Sequence, residues 1–392
     1  MPQSSQTPRV AGSRSRTGYA SLGAPPRATL ACQDEDMTDV HIRPAVQTLP
    51  AYVPGARSTG EDVAKLSSNE LPYPPQESVL AALTAAAGGV NRYPEMTGDA
   101  LVEAIAQRHA VAPEQVVVGN GSVALIQHVL DTVCDEGDDV VLPWRSFEAY
   151  PICIAVAGAR AVKVPLTADG RHDVAAMIAA VTPRTRALLA CTPNNPSGPA
   201  LTADELTALV EGVPERVLVI VDEAYLDFVT DPAVGDALTL LADHPNLLVS
   251  RTFSKAHALA GMRVGYLVGE PGIVSAIRSV ATPFGVNLPA QAAAIAALEP
   301  AVLAETARRA AVVATERDRV LAALRAQGWQ VPDAQGNFFW LAVGEHTDAL
   351  AAHFRAAGIL ARPFSGEGVR VSIGTPAEND RVLAATAAWP AR

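Results

Sequence analysis

The chain has 392 residues, a formal net charge of -11 at pH 7 and 49% hydrophobic residues. That length predicts two domains with substantial cores. The acidic balance argues against nonspecific binding to nucleic acid or anionic membrane, and no stretch approaches the ~20 apolar residues of a membrane-spanning helix. Four scattered cysteines, Cys32, Cys134, Cys153 and Cys191, form no Cys-x-x-Cys pair. They read as free thiols in a reducing, cytoplasmic compartment, not as a disulfide frame or a metal site.

Residues 1–36 differ from the rest. Arg9, Arg14, Arg16 and Arg27 precede any acidic residue, among Ser, Thr, Pro and Gly. A targeting peptide has this composition. A disordered tail, or a start read ahead of Met37, is favoured over it, because neither an amphipathic helix nor an apolar signal core is visible. Residues 37–65 read as an arm packing on a small C-terminal domain.

From about Ser67 the chain alternates helical and strand-like segments. Ala100 to His109 predicts a short amphipathic helix. Gln115 to Val118 predicts a strand, followed by Gly119-Asn120-Gly121-Ser122 and an apolar helix through Val133. Further strands are predicted at Asp139 to Leu142, Ala161 to Val164, Ala187 to Cys191, Leu218 to Val221, Leu247 to Ser250 and Val264 to Val268. Near-continuous apolar runs between helices indicate a mostly parallel sheet buried on both faces. Ligands bind such sheets at the carboxyl ends of the strands. One long helical stretch, Pro289 to Gln327, leads to strands at Phe338 to Val343 and Val369 to Ile373, with a helix from Thr347 to Ala357 between them. The expected fold is α/β: a large domain over 66–288 with a mostly parallel, seven-stranded sheet, and a smaller α/β domain over 289–392.

The segments that carry chemistry fall at strand ends. Gly119-Asn120-Gly121-Ser122 exposes backbone N–H groups at a helix start and suits an anion; alone, a Ser-capped tight turn explains it better. Phe147 and Tyr150 offer stacking faces for a flat ring, or are two core aromatics; the readings are even. Pro193-Asn194-Asn195-Pro196 is a rigid turn that can aim an amide into a cleft. Asp222, ending an apolar strand before Glu223-Ala224-Tyr225, can hold a pyridine nitrogen protonated or merely cap a helix. Lys255 follows Ser250-Arg251-Thr252-Phe253-Ser254 and precedes Arg263 by eight residues. A lysine in a crowded, desolvated site loses its proton readily and can form a Schiff base, while the hydroxyls and the arginine suit a phosphate. Pyridoxal phosphate carries an aldehyde and a phosphate in one molecule.

Together, Asn195, Asp222 to Tyr225, Lys255 and Arg263 resemble the fold-type I pyridoxal-phosphate enzymes. The chain more closely resembles the histidinol-phosphate aminotransferase family, through Ser68-Asn69-Glu70, Asn91-Arg92-Tyr93-Pro94, the Pro-Asn-Asn-Pro turn, Asp-Glu-Ala-Tyr and Ser-Lys-Ala with its following arginine. The likeness spans about Tyr52 to the C-terminus. Tyr52-Val53-Pro54-Gly55 and Trp144 to Glu148 are similar to the actinobacterial aromatic amino acid aminotransferase branch.

The resemblance implies these roles. Lys255 binds pyridoxal 5'-phosphate covalently and then moves the substrate proton. Asp222 pairs with the pyridine nitrogen, Tyr225 and Asn195 bond the ring oxygen O3', and Phe147 stacks on the ring. Ser254, Arg263 and the Gly121-Ser122 backbone hold the phosphate, and Tyr93 reaches it from a neighbouring subunit, so a homodimer is implied. Arg370 clamps the substrate carboxylate. Asn337 and Asn69 lie close by, and Arg362 helps to read the substrate's far end. Two positions depart from the family: His257 where an aromatic is usual, taken as a packing residue, and Gly336 where alanine is commoner. The implied reaction is transamination between an aromatic L-amino acid, phenylalanine foremost, and 2-oxoglutarate. The alternatives weighed are a histidinol-phosphate aminotransferase, a decarboxylating lyase of the same family, an aminotransferase-like transcription regulator and a cofactor-free relic.

Overall fold

The computed structural model describes residues 42–47, 49 and 63–390. The tail 1–36 and most of the arm 37–65, including Tyr52 to Gly55, lie outside the described residues. The strands run β1 (Ala64–Lys65), β2 (Val116–Gly119), β3 (Asp139–Trp144), β4 (Arg160–Pro165), β5 (Thr185–Cys191), β6 (Leu218–Asp222), β7 (Leu247–Thr252), β8 (Gly265–Gly269), β9 (Phe338–Leu341), β10 (Ile359–Leu360), β11 (Arg362–Phe364) and β12 (Gly368–Ser372).

Seven of them form the main sheet, in the order β2-β8-β7-β6-β5-β3-β4. Only β8 runs against its neighbours; β3, β4, β5, β6 and β7 are parallel. Strands β5, β6 and β7 are buried along almost their whole length. Alternation divides their side chains between two layers. Leu189, Ile220 and Leu248 meet Leu125, Val129 and Ile277 on one face. Leu188, Val219 and Val249 meet Leu206, Leu209 and Val210 on the other. Helices Ser122–Val133, Ala149–Val156 and Pro271–Val280 supply the first layer, and Val174–Ala179 and Ala203–Glu211 the second. Each fully buried Leu, Val or Ile contributes roughly 1.5–3 kcal/mol, so the α/β sandwich is the arrangement in which continuous apolar strands lose all contact with water.

The long helical stretch expected over Pro289 to Gln327 is two helices, Leu288–Ala297 and Pro300–Ala326. Pro300 lacks the N–H that a continuous helix would need and takes the first position of the second helix. That helix buries Arg317, which donates to the Phe228 carbonyl and to Thr230 Oγ1, both at 2.8 Å. Beyond it, β9, β11 and β12 form an antiparallel sheet in the order β11-β12-β9. It shares an apolar core with Leu324, Leu350, Phe354 and Val382. The described end of the arm enters here, since β1 pairs in parallel with β10.

Candidate active site

Strand register brings the chemical residues together. Cys191, Asp222 and Ser250 are neighbours at the ends of β5, β6 and β7. At the start of β8, Gly265 pairs with Gly119 on one side and Thr252 on the other. The reversed strand therefore sets the Gly119–Ser122 loop beside the Thr252–Lys255 segment, although they are far apart in sequence. The cavity above these ends measures about 260 Å³. Ser122, Phe147, Asn195, Asp222, Tyr225 and Lys255 line it, as do Ser254, Arg263 and Arg370.

One side of the cavity is an anion cradle. Gly121 has φ +83°, and a Cβ there would lie 2.6 Å from Arg263 Nη2. A Cβ on Gly265 would lie 2.9 Å from the Ser122 nitrogen. The glycines thus keep room for the amide at the start of helix Ser122–Val133, where the dipole favours negative charge. Arg263, itself left-handed at φ 56°, donates to the Ala260 carbonyl at 3.0 Å and to Ser254 Oγ at 3.4 Å. Thr252 Oγ1 donates to Ser254 Oγ at 3.0 Å.

Asp222 is buried. Its Oδ2 accepts from the Tyr150 hydroxyl at 2.7 Å, and its Oδ1 has no hydrogen-bond partner among the described residues. Burial pushes its carboxyl up to about 6, against the pull of the Tyr150 hydroxyl and the Lys255 charge. Tyr150 therefore serves the carboxylate and does not line the cavity. Phe147 does, with its ring edge-on to Tyr150 at 5.4 Å. Lys255 keeps some contact with the cavity, yet the protein is dense around its amine. That burial, with the charge of Arg370 next, pushes its pKa down to about 7. Its Nζ donates to the Ser68 carbonyl at 3.2 Å. Behind β6, Glu223 accepts from Arg251 Nη2 at 2.8 Å and locks β6 to β7.

Opposite the cradle, Arg370 rises from β12. It donates to Asn195 Oδ1 at 2.7 Å and to the Ser67 carbonyl at 2.6 Å. Asn69, left-handed at φ 52°, donates through Nδ2 to the Tyr225 hydroxyl at 3.1 Å. Asn337 Nδ2 donates to the Asn69 carbonyl at 3.1 Å. These two asparagines stand one layer behind the cavity wall. Arg362 is ion-paired with Glu148 and also lies outside the wall. Tyr93 is 82% exposed and stacks on Phe284, away from this chain's own cavity. His257 faces a separate cavity of about 60 Å³ with Glu223, Arg251 and Tyr266. At Gly336 a Cβ would lie 2.6 Å from the Phe338 ring, a physical reason for glycine where alanine is commoner.

Sequence reasoning missed the Tyr150–Asp222 bond and the Glu148–Arg362 and Arg145–Glu367 pairs. The spacing of Tyr150 to Asp222, 72 residues, carries no signal that they meet.

The aminotransferase class I and II family matches residues 61–385. The aromatic amino acid aminotransferase of Thermobifida fusca (strain YX) is 48% identical over 354 residues, which is 90% of this chain and 98% of that protein. That of Rhodococcus jostii (strain RHA1) is 47% identical over 350 residues, covering 89% and 96% of the two chains. Among solved structures, histidinol-phosphate aminotransferase from Sinorhizobium meliloti in complex with pyridoxal-5'-phosphate superposes with a TM-score of 0.79 at 28% identity, covering 88% of this chain and 96% of that one. With a lysine, a buried carboxylate and an anion cradle converging at the strand ends, and a family match over most of its length, this chain belongs to the class I and II aminotransferases.

Proposed function

We propose that the chain is a pyridoxal-phosphate-dependent aminotransferase that moves the amino group of an aromatic L-amino acid, phenylalanine foremost, to 2-oxoglutarate. The observation that carries the substrate class is the high identity, over nearly the whole chain, to relatives named aromatic amino acid aminotransferase. The site fits the cofactor on three counts. Asp222 Oδ1 is buried and unpartnered, the Gly121 cradle has no room for a Cβ, and the Lys255 amine is depressed to about 7.

Bound there, pyridoxal phosphate supplies an aldehyde that holds the substrate nitrogen and a pyridine ring that takes up electrons from the α carbon. Asp222 Oδ1 would hold a proton on the ring nitrogen. Tyr225 Oη and the amide nitrogen of Asn195, a residue whose Oδ1 is held by Arg370, would hold O3'. Phe147 would stack on the ring. Ser254, Arg263 and the Gly121-Ser122 amides would neutralise the phosphate. Arg370 orients the substrate through its α-carboxylate, and Asn337 and Asn69 brace that wall. Lys255, whose amine burial depresses to about 7 and so frees for proton transfer, takes the proton from the substrate α carbon and returns it.

The reading extends to a large cofactor domain over 66–288, a small domain over 289–392, and a homodimer in which Tyr93 completes the neighbouring site. Supporting the dimer, Val90, Tyr93, Met96 and Phe284 are exposed apolar side chains, more than a solvated surface needs in one region. Free thiols at Cys134, Cys153 and Cys191 support a cytoplasmic setting.

The test is kinetic and chemical. Purified holoenzyme is assayed with 2-oxoglutarate against phenylalanine, tyrosine and histidinol phosphate, and borohydride-reduced protein is mapped by peptide mass spectrometry. Phenylalanine turnover and a pyridoxyl group on Lys255 are expected. A preference for histidinol phosphate would replace the substrate reading, and an unmodified Lys255 would overturn the mechanism.

A further inference from the structure

Beside the cavity, two arginines have their charge already taken. Arg362 on β11 lies opposite Arg370 on β12 in an antiparallel ladder, so both side chains leave the same face of the small sheet. Arg370 lines the cavity. Arg362 is hydrogen-bonded and ion-paired to Glu148, whose chain neighbour Phe147 lines the same cavity. The side chains of the pair are only 10% and 19% exposed. Arg145 is paired in the same way with Glu367, its Nε donating at 2.6 Å. The Phe364 ring centre lies 5.5 Å from the Arg362 guanidinium and 5.3 Å from that of Arg145. These two ion pairs are therefore neutral as a group, with an aromatic ring against both arginines.

We propose that Glu148 is a specificity-determining residue: by holding Arg362 it cancels the charge that a second carboxylate or a phosphate on the substrate would need, and so favours amino acids with uncharged side chains. The inference rests on the aromatic-substrate reading and names the residue behind it. A ligand with an anionic far end would have to displace Glu148 from Arg362 and leave a poorly hydrated carboxylate unpaired, which is costly. An uncharged ring leaves the pair intact. The acceptor 2-oxoglutarate, a dicarboxylate, meets the same obstacle. With a neutral residue at 148, Arg362 would lose this carboxylate, next to the arginine assigned to the α-carboxylate. Glu148 is a positioning residue, since it acts through Arg362 and not on the reacting atoms.

The test uses wild-type and Glu148→Gln holoenzyme. Succinate, a dicarboxylate that cannot be transaminated, is titrated by calorimetry, and kcat/KM is measured for histidinol phosphate and for phenylalanine. Succinate is expected to bind at least fivefold tighter to the variant, and the histidinol phosphate to phenylalanine ratio to rise at least fivefold. A smaller change in succinate affinity in a variant with wild-type melting and cofactor absorbance overturns the proposal, and this measurement decides where the two differ. Glu148→Asp keeps the charge and should stay within fivefold of wild type; a gain there assigns the effect to space and also overturns it. Should Glu148→Gln not fold, Glu148→Ser carries the same comparison. If wild type fails to turn over phenylalanine, the substrate reading falls, while the succinate titration still judges Glu148.

Discussion

Lys255 is one of only three lysines in the chain, with Lys65 and Lys163. Burial lowers its pKa from 10.5 to about 7. Between those values the unfolded chain holds a proton that the native chain has released. The native state is therefore penalised most below pH 7 and recovers as pH rises toward 10.5. Lys255→Met removes the penalty. The variant should melt above wild type at pH 7 when both are cofactor-free, by roughly 2 °C for each kcal/mol recovered, and thermal melts at rising pH should show the gap closing. Asp222 tests a different partner. Its carboxyl, near 6, is held down by the Tyr150 hydroxyl against burial. Tyr150→Phe removes that donor, so in the cofactor-free protein the carboxyl should rise further, which a carboxyl-carbon NMR titration of the apoenzyme would read. Losing a hydrogen bond to a charged group predicts about a tenfold fall in kcat at pH 7. Lys255, Asp222 and Asn195 were legible in the sequence because each ends an apolar strand or sits in a rigid motif. Glu148 was not, because nothing at its own position announces that a buried arginine 214 residues later will fold against it.

At the scale of elements, the reversed strand β8 does the joining. It lets Gly265 touch both Gly119 and Thr252 and so assembles the cradle from two loops. Gly121→Ala puts a methyl group where the Arg263 guanidinium lies and strains a backbone at φ +83°. Cofactor affinity should fall at least about tenfold, the loss of one charge-assisted contact, as measured by titrating the apoenzyme with pyridoxal phosphate. Short apolar runs revealed the seven strands but not the direction of β8, since an apolar strand reads the same both ways. They also hid the break at Pro300, although proline after Leu298-Glu299 is a helix-start signal. Surface helices are marked in the sequence by their caps. Thr202 with Glu205, and Thr375 with Glu378, form capping boxes that mark helices Ala203–Glu211 and Pro376–Ala387.

For the whole molecule, the exposed group Val90, Tyr93, Met96 and Phe284 predicts a dimer of about twice 40.8 kDa by sedimentation. Met96→Glu, a charge set into an apolar contact, should shift the holoenzyme to monomer and reduce turnover at least about tenfold. Retention of both dimer and activity would count against Tyr93 completing a neighbouring site. Among the described residues no helix is long and apolar enough to cross a membrane. One further consequence lies in the alignment of Cys191, Asp222 and Ser250 across three adjacent strands. Side chains alternate along a strand, so one extra codon within Leu218–Val221 would turn the Asp222 carboxylate to the opposite side of the sheet. Lengthening an outer loop by the same amount would leave it in place. The enzyme should thus tolerate insertions almost anywhere on its periphery and almost nowhere along this ledge, which an insertion scan scored by growth or turnover would map directly.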